Sequence, residues 1–196
     1  MISVVYDVVA YRNLLAKTVR EADTVVEIGP HVGRSTDTYL AKAGRAILID
    51  KGKDCVKALS EIAEKHDNVV YVCGDARGFD TLSLVRKHAP RCDVLAVDLG
   101  GGRFPDTVFK VWATWSGVLQ PRHSIIRCSG LAEFIRRAKV QDDTLPKEFA
   151  DNGWLSEYGR AIPSKMKVQL EEFSHWVDIN RRDYANHEGE YAAEKR

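Results

Sequence analysis

The sequence has almost no net charge and few cysteines. Its 29 lysines and arginines offset 28 aspartates and glutamates across 196 residues, so a net charge of +1 gives no global electrostatic case for a nucleic-acid, membrane or acidic partner. The four cysteines are widely spaced and form neither a C-x-x-C pair nor a Cys/His cluster of zinc spacing. We therefore expect reduced thiols, as in a cytoplasmic protein.

Long apolar runs are also missing. No stretch approaches the ~20 residues that a membrane-spanning helix needs. The first residues lack the basic region and the apolar core of a signal peptide. We expect a soluble, intracellular protein without a membrane partner. A chain of 196 residues is long enough for a substantial core, and a single domain is the natural expectation.

Short apolar runs alternate with amphipathic segments along most of the chain. The predicted strands lie at 24–28, 46–49, 69–73, 94–98 and 123–128. The predicted helices lie at 7–22, 35–43, 54–65, 82–88, 106–117 and 131–139, with Asp7 as the first N-cap and Gly44 ending the second helix. The runs are continuous, as is typical of parallel strands covered on both sides. The predicted fold is α/β: three layers, doubly wound, with a mostly parallel sheet and helices on both faces.

A glycine-rich turn follows the first predicted strand. The segment reads Glu27-Ile28-Gly29-Pro30-His31-Val32-Gly33. The dinucleotide fingerprint G-x-G-x-x-G is not met, because His31 and Arg34 occupy its second and third glycine positions. The pattern acidic-x-G-x-G-x-G is met except at His31. In this respect the segment resembles the nucleotide-binding loop of class I, Rossmann-like S-adenosylmethionine-dependent methyltransferases.

Each of the next three predicted strands has an aspartate at or just after its end. Asp50 lies ~20 positions after Gly29, the spacing at which an acidic residue hydrogen-bonds ribose hydroxyls. Asp75 stands in Gly74-Asp75-Ala76, and Asp98 precedes a run of three glycines. Each aspartate alone is also a common turn or cap residue. Taken in order after the glycine turn, the three strengthen the resemblance.

The resemblance implies methyl transfer with S-adenosyl-L-methionine as the cofactor. It places Glu27 at the methionine end, the Gly29–Gly33 loop against the sugar and amino acid, Asp50 at the ribose, and Asp75 with Ala76 at the adenine. The predicted cofactor-binding residues are Glu27, Gly29, Pro30, His31, Gly33, Asp50, Lys51, Asp75, Ala76 and Asp98. Asp98, which also faces the donor methyl group, and Arg127 are the predicted catalytic residues. Arg127 is suited to hold an anionic substrate group.

The sequence defines the methyl acceptor less well than the cofactor. The Asn/Asp-Pro-Pro-Tyr/Phe signature of exocyclic amino methyltransferases is absent, which disfavours adenine-N6 chemistry. Cys128 distantly resembles the nucleophile of RNA cytosine-C5 methyltransferases, but Leu99-Gly100 replaces their Pro-Cys, so a small buried hydrophobe is the better interpretation. The second acidic or Asn pair of metal-dependent catechol-type enzymes is absent, and no metal is predicted. We predict a small-molecule acceptor, with an RNA methyltransferase (tRNA or rRNA) or a non-catalytic S-adenosylmethionine-binding protein as alternatives.

The resemblance also suggests how the chain is divided. We predict one methyltransferase domain, 1–196, with an N-terminal helix at 1–22, a cofactor-binding core at 23–139 and a lid and late-strand region at 140–196. Residues 165–179 fit one helix or two strands, and strands are favoured because this fold needs one or two late strands. The oligomeric state is open.

Overall fold

A computed structural model describes residues 1–141, 144 and 149–155 of the chain. The strands are β1 (Ile2–Val5), β2 (Thr24–Ile28), β3 (Arg45–Asp50), β4 (Val69–Cys73), β5 (Val94–Val97) and β6 (His123–Arg127). The helices are α1 (Val8–Thr18), α2 (Lys53–Lys65), α3 (Phe79–His88), α4 (Pro105–Leu119) and α5 (Ser129–Arg137). Two short 3-10 turns lie at Thr36–Thr38 and Gly100–Gly102. The predicted late strands at 165–179 lie outside the described residues.

The six strands form one sheet in the order β1-β6-β5-β2-β3-β4, and every pair of neighbours is parallel. Strand order reverses between β2 and β5, because the chain runs outward through β3 and β4 and then returns to the other side of β2. Open α/β sheets bind ligands at such a switch point, beyond the carboxyl ends of the strands. The predicted α/β fold is confirmed.

Helices cover both faces of the sheet. Because successive strand residues point to opposite faces, neighbours such as Val25 and Val26 belong to different apolar clusters. One cluster packs the sheet against α3 and α4, with Trp115 fully buried. The other packs it against α1 and α2, with Tyr11 fully buried. Within the described residues, no helix is long and apolar enough to cross a membrane.

The N-terminal segment differs from the prediction of a helix alone over 1–22. Ile2–Val5 forms strand β1, which pairs in parallel with β6 at the edge of the sheet. This strand was missed because its four residues are too few to show a pattern, and its pairing partner lies far along the chain. The predicted N-cap is confirmed: the Asp7 carboxylate accepts hydrogen bonds from the backbone N–H groups of Val9 and Ala10.

The predicted helix at 35–43 is wrong. Apart from the 3-10 turn at Thr36–Thr38, this segment forms turns without α-helix. The reason lies in its polar side chains: the hydroxyl groups of Thr36 and Tyr39 both donate to Glu27, and that of Thr38 donates to the Ser35 carbonyl. Such side-chain bonds compete with a regular helix. Gly44 does not have the left-handed backbone of a helix C′ residue; it allows close approach to the backbone of Ala22.

Candidate functional site

A cavity of about 1110 Å³ lies at the carboxyl edge of the sheet, where the strand order reverses. Most of the predicted site residues line it, namely Gly29, Pro30, His31, Asp50, Lys51, Asp75, Ala76, Asp98 and Arg127. Glu27 and Gly33 are not among the lining residues. The parallel strands therefore bring together, at one edge, residues that are distant in the sequence.

Gly29 makes the turn after β2 possible. Its backbone has a φ of 81°, and an added Cβ would lie 2.1 Å from the carbonyl oxygen of Asp98. Its N–H donates to the Ile49 carbonyl at 2.9 Å, so this residue joins β2 to its neighbours on both sides. Only glycine fits this position, because any side chain would collide with the backbone of the adjacent strand end.

His31 has the backbone of the glycine that it replaces. Its φ is 55°, in the left-handed region. The N–H of His31 donates to Oδ2 of Asp50 at 3.1 Å, and the N–H of Gly52 donates to Oδ1 of the same carboxylate at 2.8 Å. The Asp50 carboxylate thus holds the glycine turn in place at the cavity wall, and the His31 side chain is exposed.

Gly33 contacts a helix rather than the cavity. Its φ is 84°, and an added Cβ would lie 2.3 Å from Cδ1 of Ile62 in α2. This glycine is explained by the packing of the turn against α2. The pattern that predicted a ligand contact here therefore coincides with a requirement of the fold.

Glu27 is fully buried behind the turn. Its Oε2 accepts hydrogen bonds from the hydroxyl groups of Thr36 and Tyr39, both at 2.7 Å. Its Oε1 has no hydrogen-bond partner among the described residues. Burial raises the pKa of Glu27 to about 7, and the hydrogen bonds from Thr36 and Tyr39 only partly oppose that rise. The carboxyl group therefore organises the 36–39 turn.

Asp75 is held by two cationic side chains. Its Oδ1 accepts from the backbone N–H and Nε of Arg77, and its Oδ2 accepts from Nη2 of Arg77 and from Nζ of Lys51, with all four distances between 2.6 and 3.0 Å. Burial opposes ionisation of Asp75, but these bonds outweigh it and hold the pKa of the carboxyl well below its usual range. Four bonds use the four lone-pair positions of a carboxylate.

Asp98 and Arg127 form an ion pair at the ends of β5 and β6. Nε of Arg127 lies 2.8 Å from Oδ1 of Asp98, and their side chains are 17% and 12% exposed. Burial raises the pKa of Asp98, and the charges of Arg127, Arg12 and His31 offset only part of the rise. The adjacent Cys128 is fully buried in the core, which agrees with its interpretation as a small hydrophobe.

The sequence comparisons give two relatives, and no family model matches the chain. The chain is 41% identical over 78 residues to ribosomal RNA small subunit methyltransferase A of Moorella thermoacetica, a match that spans 37% of this chain and 27% of that protein. It is 37% identical over 73 residues to the protein of the same name from Pelotomaculum thermopropionicum, spanning 35% and 25%. The match thus covers about a quarter of each relative. The predicted resemblance to methyltransferases is confirmed.

A solved structure with a bound cofactor is more distantly similar. Fibrillarin of Aeropyrum pernix, crystallised with natively bound S-adenosyl-L-methionine, is 17% identical with a TM-score of 0.43. That similarity covers 55% of this chain and 46% of the fibrillarin chain.

The sequence prediction missed several cavity residues, among them Arg77, Arg12 and Phe104. Arg77 binds Asp75, and its position two residues after the predicted adenine contact was the available signal. Arg12 reaches the cavity from α1, where it lies one helical turn after Val8, another lining residue. Phe104 lines the cavity although more than half of it is exposed, and no periodic pattern marks it. The described part of the chain contains no group of three His, Cys, Asp or Glu side chains able to hold a metal ion.

Proposed function

We propose that this protein is an S-adenosylmethionine-dependent methyltransferase that acts on RNA. The observation that carries the proposal is the 41% identity over 78 residues to a ribosomal RNA methyltransferase. It supports RNA, an alternative acceptor in the sequence prediction, better than a small molecule, because both curated relatives are ribosomal RNA methyltransferases by name.

The cavity supports the proposed cofactor through its three strand-end aspartates. Asp50, Asp75 and Asp98 follow β3, β4 and β5 and line the same space. Each oxygen of Asp50 accepts one backbone N–H, which leaves a second lone pair on each for a ribose hydroxyl. The Ala76 backbone at the adenine end is held by a 2.7 Å bond from the Trp115 indole N–H to its carbonyl.

The protein's part in methyl transfer is to position the acceptor. When bound, the sulfonium cofactor supplies an electrophilic methyl group. Asp98 lies where the acceptor meets that group in the resembled family, and Arg127 engages only one of its carboxylate oxygens. The second oxygen is suited to take a hydrogen bond or a proton from the acceptor atom. Alignment of the reacting atoms at ~3–3.5 Å then accounts for most of the expected acceleration.

Cofactor binding is tested by calorimetry with S-adenosylhomocysteine. We expect the wild type to bind it and Asp50→Ala to bind at least ~10-fold more weakly, because the ribose would lose both hydrogen bonds. Asp67→Ala is the matched control, since Asp67 is exposed at the amino end of β4, away from the cavity. Equal binding by wild type and Asp50→Ala, or no binding by either, contradicts the assigned site.

RNA as the acceptor is tested by transfer of a labelled methyl group to total tRNA and to ribosomal subunits. We expect incorporation into RNA that depends on active enzyme, with an RNA affinity that falls as salt rises. Binding of S-adenosylhomocysteine without RNA labelling would instead support the non-catalytic alternative. Labelling of a small-molecule fraction alone would instead support a small-molecule acceptor.

A further inference from the structure

We propose that Phe104 is the platform on which the acceptor base of the RNA stacks during methyl transfer. The inference rests on the proposed function and names the residue that would hold the substrate. Phe104 is 56% exposed, yet it lines the cavity, so its exposed ring faces space that a ligand can enter. Packing in the protein core does not explain why a large aromatic side chain is exposed in the wall of a cavity.

The glycine turn before Phe104 supports one edge of its ring. Gly100, Gly101 and Gly102 have φ values of 55°, 67° and 77°. An added Cβ at Gly100 would lie 2.6 Å from Cδ2 and 2.9 Å from Cε2 of Phe104, so the ring rests against the turn where a side chain would be. Three consecutive left-handed residues are accessible to glycine alone at low cost. The turn therefore supports the Cδ2–Cε2 edge of the ring with main chain.

The turn itself is anchored to the end of β6. An added Cβ at Gly102 would lie 3.1 Å from the carbonyl oxygen of Arg127. The N–H of Gly102 donates to the Leu99 carbonyl at 2.9 Å, and the hydroxyl of Ser129 donates to the Gly102 carbonyl at 3.3 Å. Phe104 is thus mounted on a fixed loop, as a stacking surface must be if it is to orient a reacting base.

Phe104 lies at the acceptor end of the cavity. Asp50 ends β3 and Asp75 follows β4, on the side of the sheet proposed for the adenosyl group. Arg127 ends β6, on the other side of Asp98, and the turn before Phe104 packs against Arg127 at Gly102. The cavity volume of about 1110 Å³ is at the large end of the range typical of ligand sites.

The chemistry of this wall fits a nucleobase. A phenyl ring stacks on the π-face of any base, and stacking contributes roughly 10- to 100-fold to affinity per base. Asp98, Thr107 and Arg127 line the same cavity and carry a carboxylate, a hydroxyl and a guanidinium, which can hydrogen-bond a base edge. The base must leave its helical stack to reach this wall, as other base-modifying enzymes require.

The test compares Phe104→Leu and Phe104→Trp with the control Phe109→Leu. Phe109 is also an exposed phenylalanine (46%), but it contacts Trp112 in α4 and does not line the cavity. We expect Phe104→Leu to lower kcat/KM for RNA roughly 10- to 100-fold, while Phe104→Trp and Phe109→Leu stay near wild type. Affinity for S-adenosylhomocysteine should be unchanged in all three variants. A 2-aminopurine placed at the methylated position should be quenched on binding to wild type and less so with Phe104→Leu.

The outcomes separate the inference from the proposed function. If wild type methylates RNA and Phe104→Leu retains its kcat/KM and quenching, the platform is wrong and the function stands. If Phe104→Leu and Phe109→Leu lose activity equally, or Phe104→Leu loses cofactor affinity to the same extent, the ring has a structural role and the inference is again wrong. If wild type labels no RNA, the proposed function is wrong, and the inference about Phe104, which depends on it, is wrong as well.

Discussion

The ammonium group of Lys51 lies 2.9 Å from Oδ2 of Asp75, the carboxylate that the resemblance to methyltransferases assigns to the adenine. Arg77 occupies the remaining lone pairs of the same carboxylate. An adenine amino group can therefore bond Asp75 only if it displaces one of these donors. Lys51 is the one to leave, because its side chain is 46% exposed whereas that of Arg77 is 17% exposed.

We expect Lys51→Met to bind S-adenosylhomocysteine more tightly than wild type, by up to ~5-fold, since a solvent-exposed ion pair contributes no more than ~1 kcal/mol. The measurement is calorimetry at low salt. Lys57→Met is the control, because Lys57 is 90% exposed in α2 and pairs only loosely with Glu61. Weaker binding by Lys51→Met would mean that Lys51 contacts the cofactor directly and does not compete with it.

A second prediction concerns the glycine turn after β2. Gly29→Ala should lower the free energy of unfolding by about 3 kcal/mol or more, because the new Cβ would lie 2.1 Å from the Asp98 carbonyl and φ is 81°. Gly101→Ala should lower it by only ~1–2 kcal/mol, since φ is 67° but the nearest atom to its Cβ is 3.6 Å away. Urea titrations give both values. Equal losses would show that backbone strain, and not the contact with Asp98, sets the requirement at Gly29.

Much of the sheet and of the cavity could be predicted because local patterns carry the information. Continuous apolar runs predicted β2 to β6. Because these strands are parallel, Asp50, Asp75 and Asp98 must lie at the same edge of the sheet. β1 could not be predicted, because its four residues form a strand only through pairing with β6. Likewise, the 35–43 turn depends on hydrogen bonds to a buried Glu27, which no local pattern reports.

The roles of single residues also depend on contacts that a local sequence pattern does not reveal. The glycine pattern led to both Gly29 and Gly33, but only Gly29 lines the cavity, while Gly33 accommodates Ile62. The role of Arg77 depends on its bidentate contact with Asp75, which spacing alone cannot specify. The positions that topology brings together could therefore be predicted from the sequence, whereas those that depend on side-chain geometry could not.

Glu27 should make stability depend on pH. Its pKa is about 7 in the fold against an ordinary value of 4.5, so between these pH values the folded state keeps a proton that the unfolded chain releases. This contribution is fully present below pH 4.5 and is lost as pH rises through 7, a change of about 3 kcal/mol. Glu27→Gln removes the ionisation and keeps an oxygen that can accept from Thr36 and Tyr39.

The measurement is urea unfolding of wild type and Glu27→Gln at pH 5 and pH 8. Relative to wild type, Glu27→Gln should be more stable at pH 8 than at pH 5 by about 2–3 kcal/mol. Taking the difference between the two proteins cancels the titration of every other group. A difference that stays constant with pH would mean that Glu27 is already ionised in the folded state at pH 5, so that burial does not raise its pKa.

Arg127 should set the pH dependence of the proposed methyl transfer. Burial already raises the pKa of Asp98, and the ion pair with Arg127 limits that rise. Arg127→Met leaves Asp98 largely buried without its partner, so the pKa should rise further and the acidic limb of the pH–rate profile for RNA methylation should move to higher pH. The variant should also lose roughly 3 kcal/mol of stability at pH 7. Asp98→Asn should be slow at every pH tested, because it has no carboxylate to ionise. If Arg127→Met lowers the rate without moving the acidic limb, Arg127 binds the substrate directly and Asp98 is not the group that must be ionised.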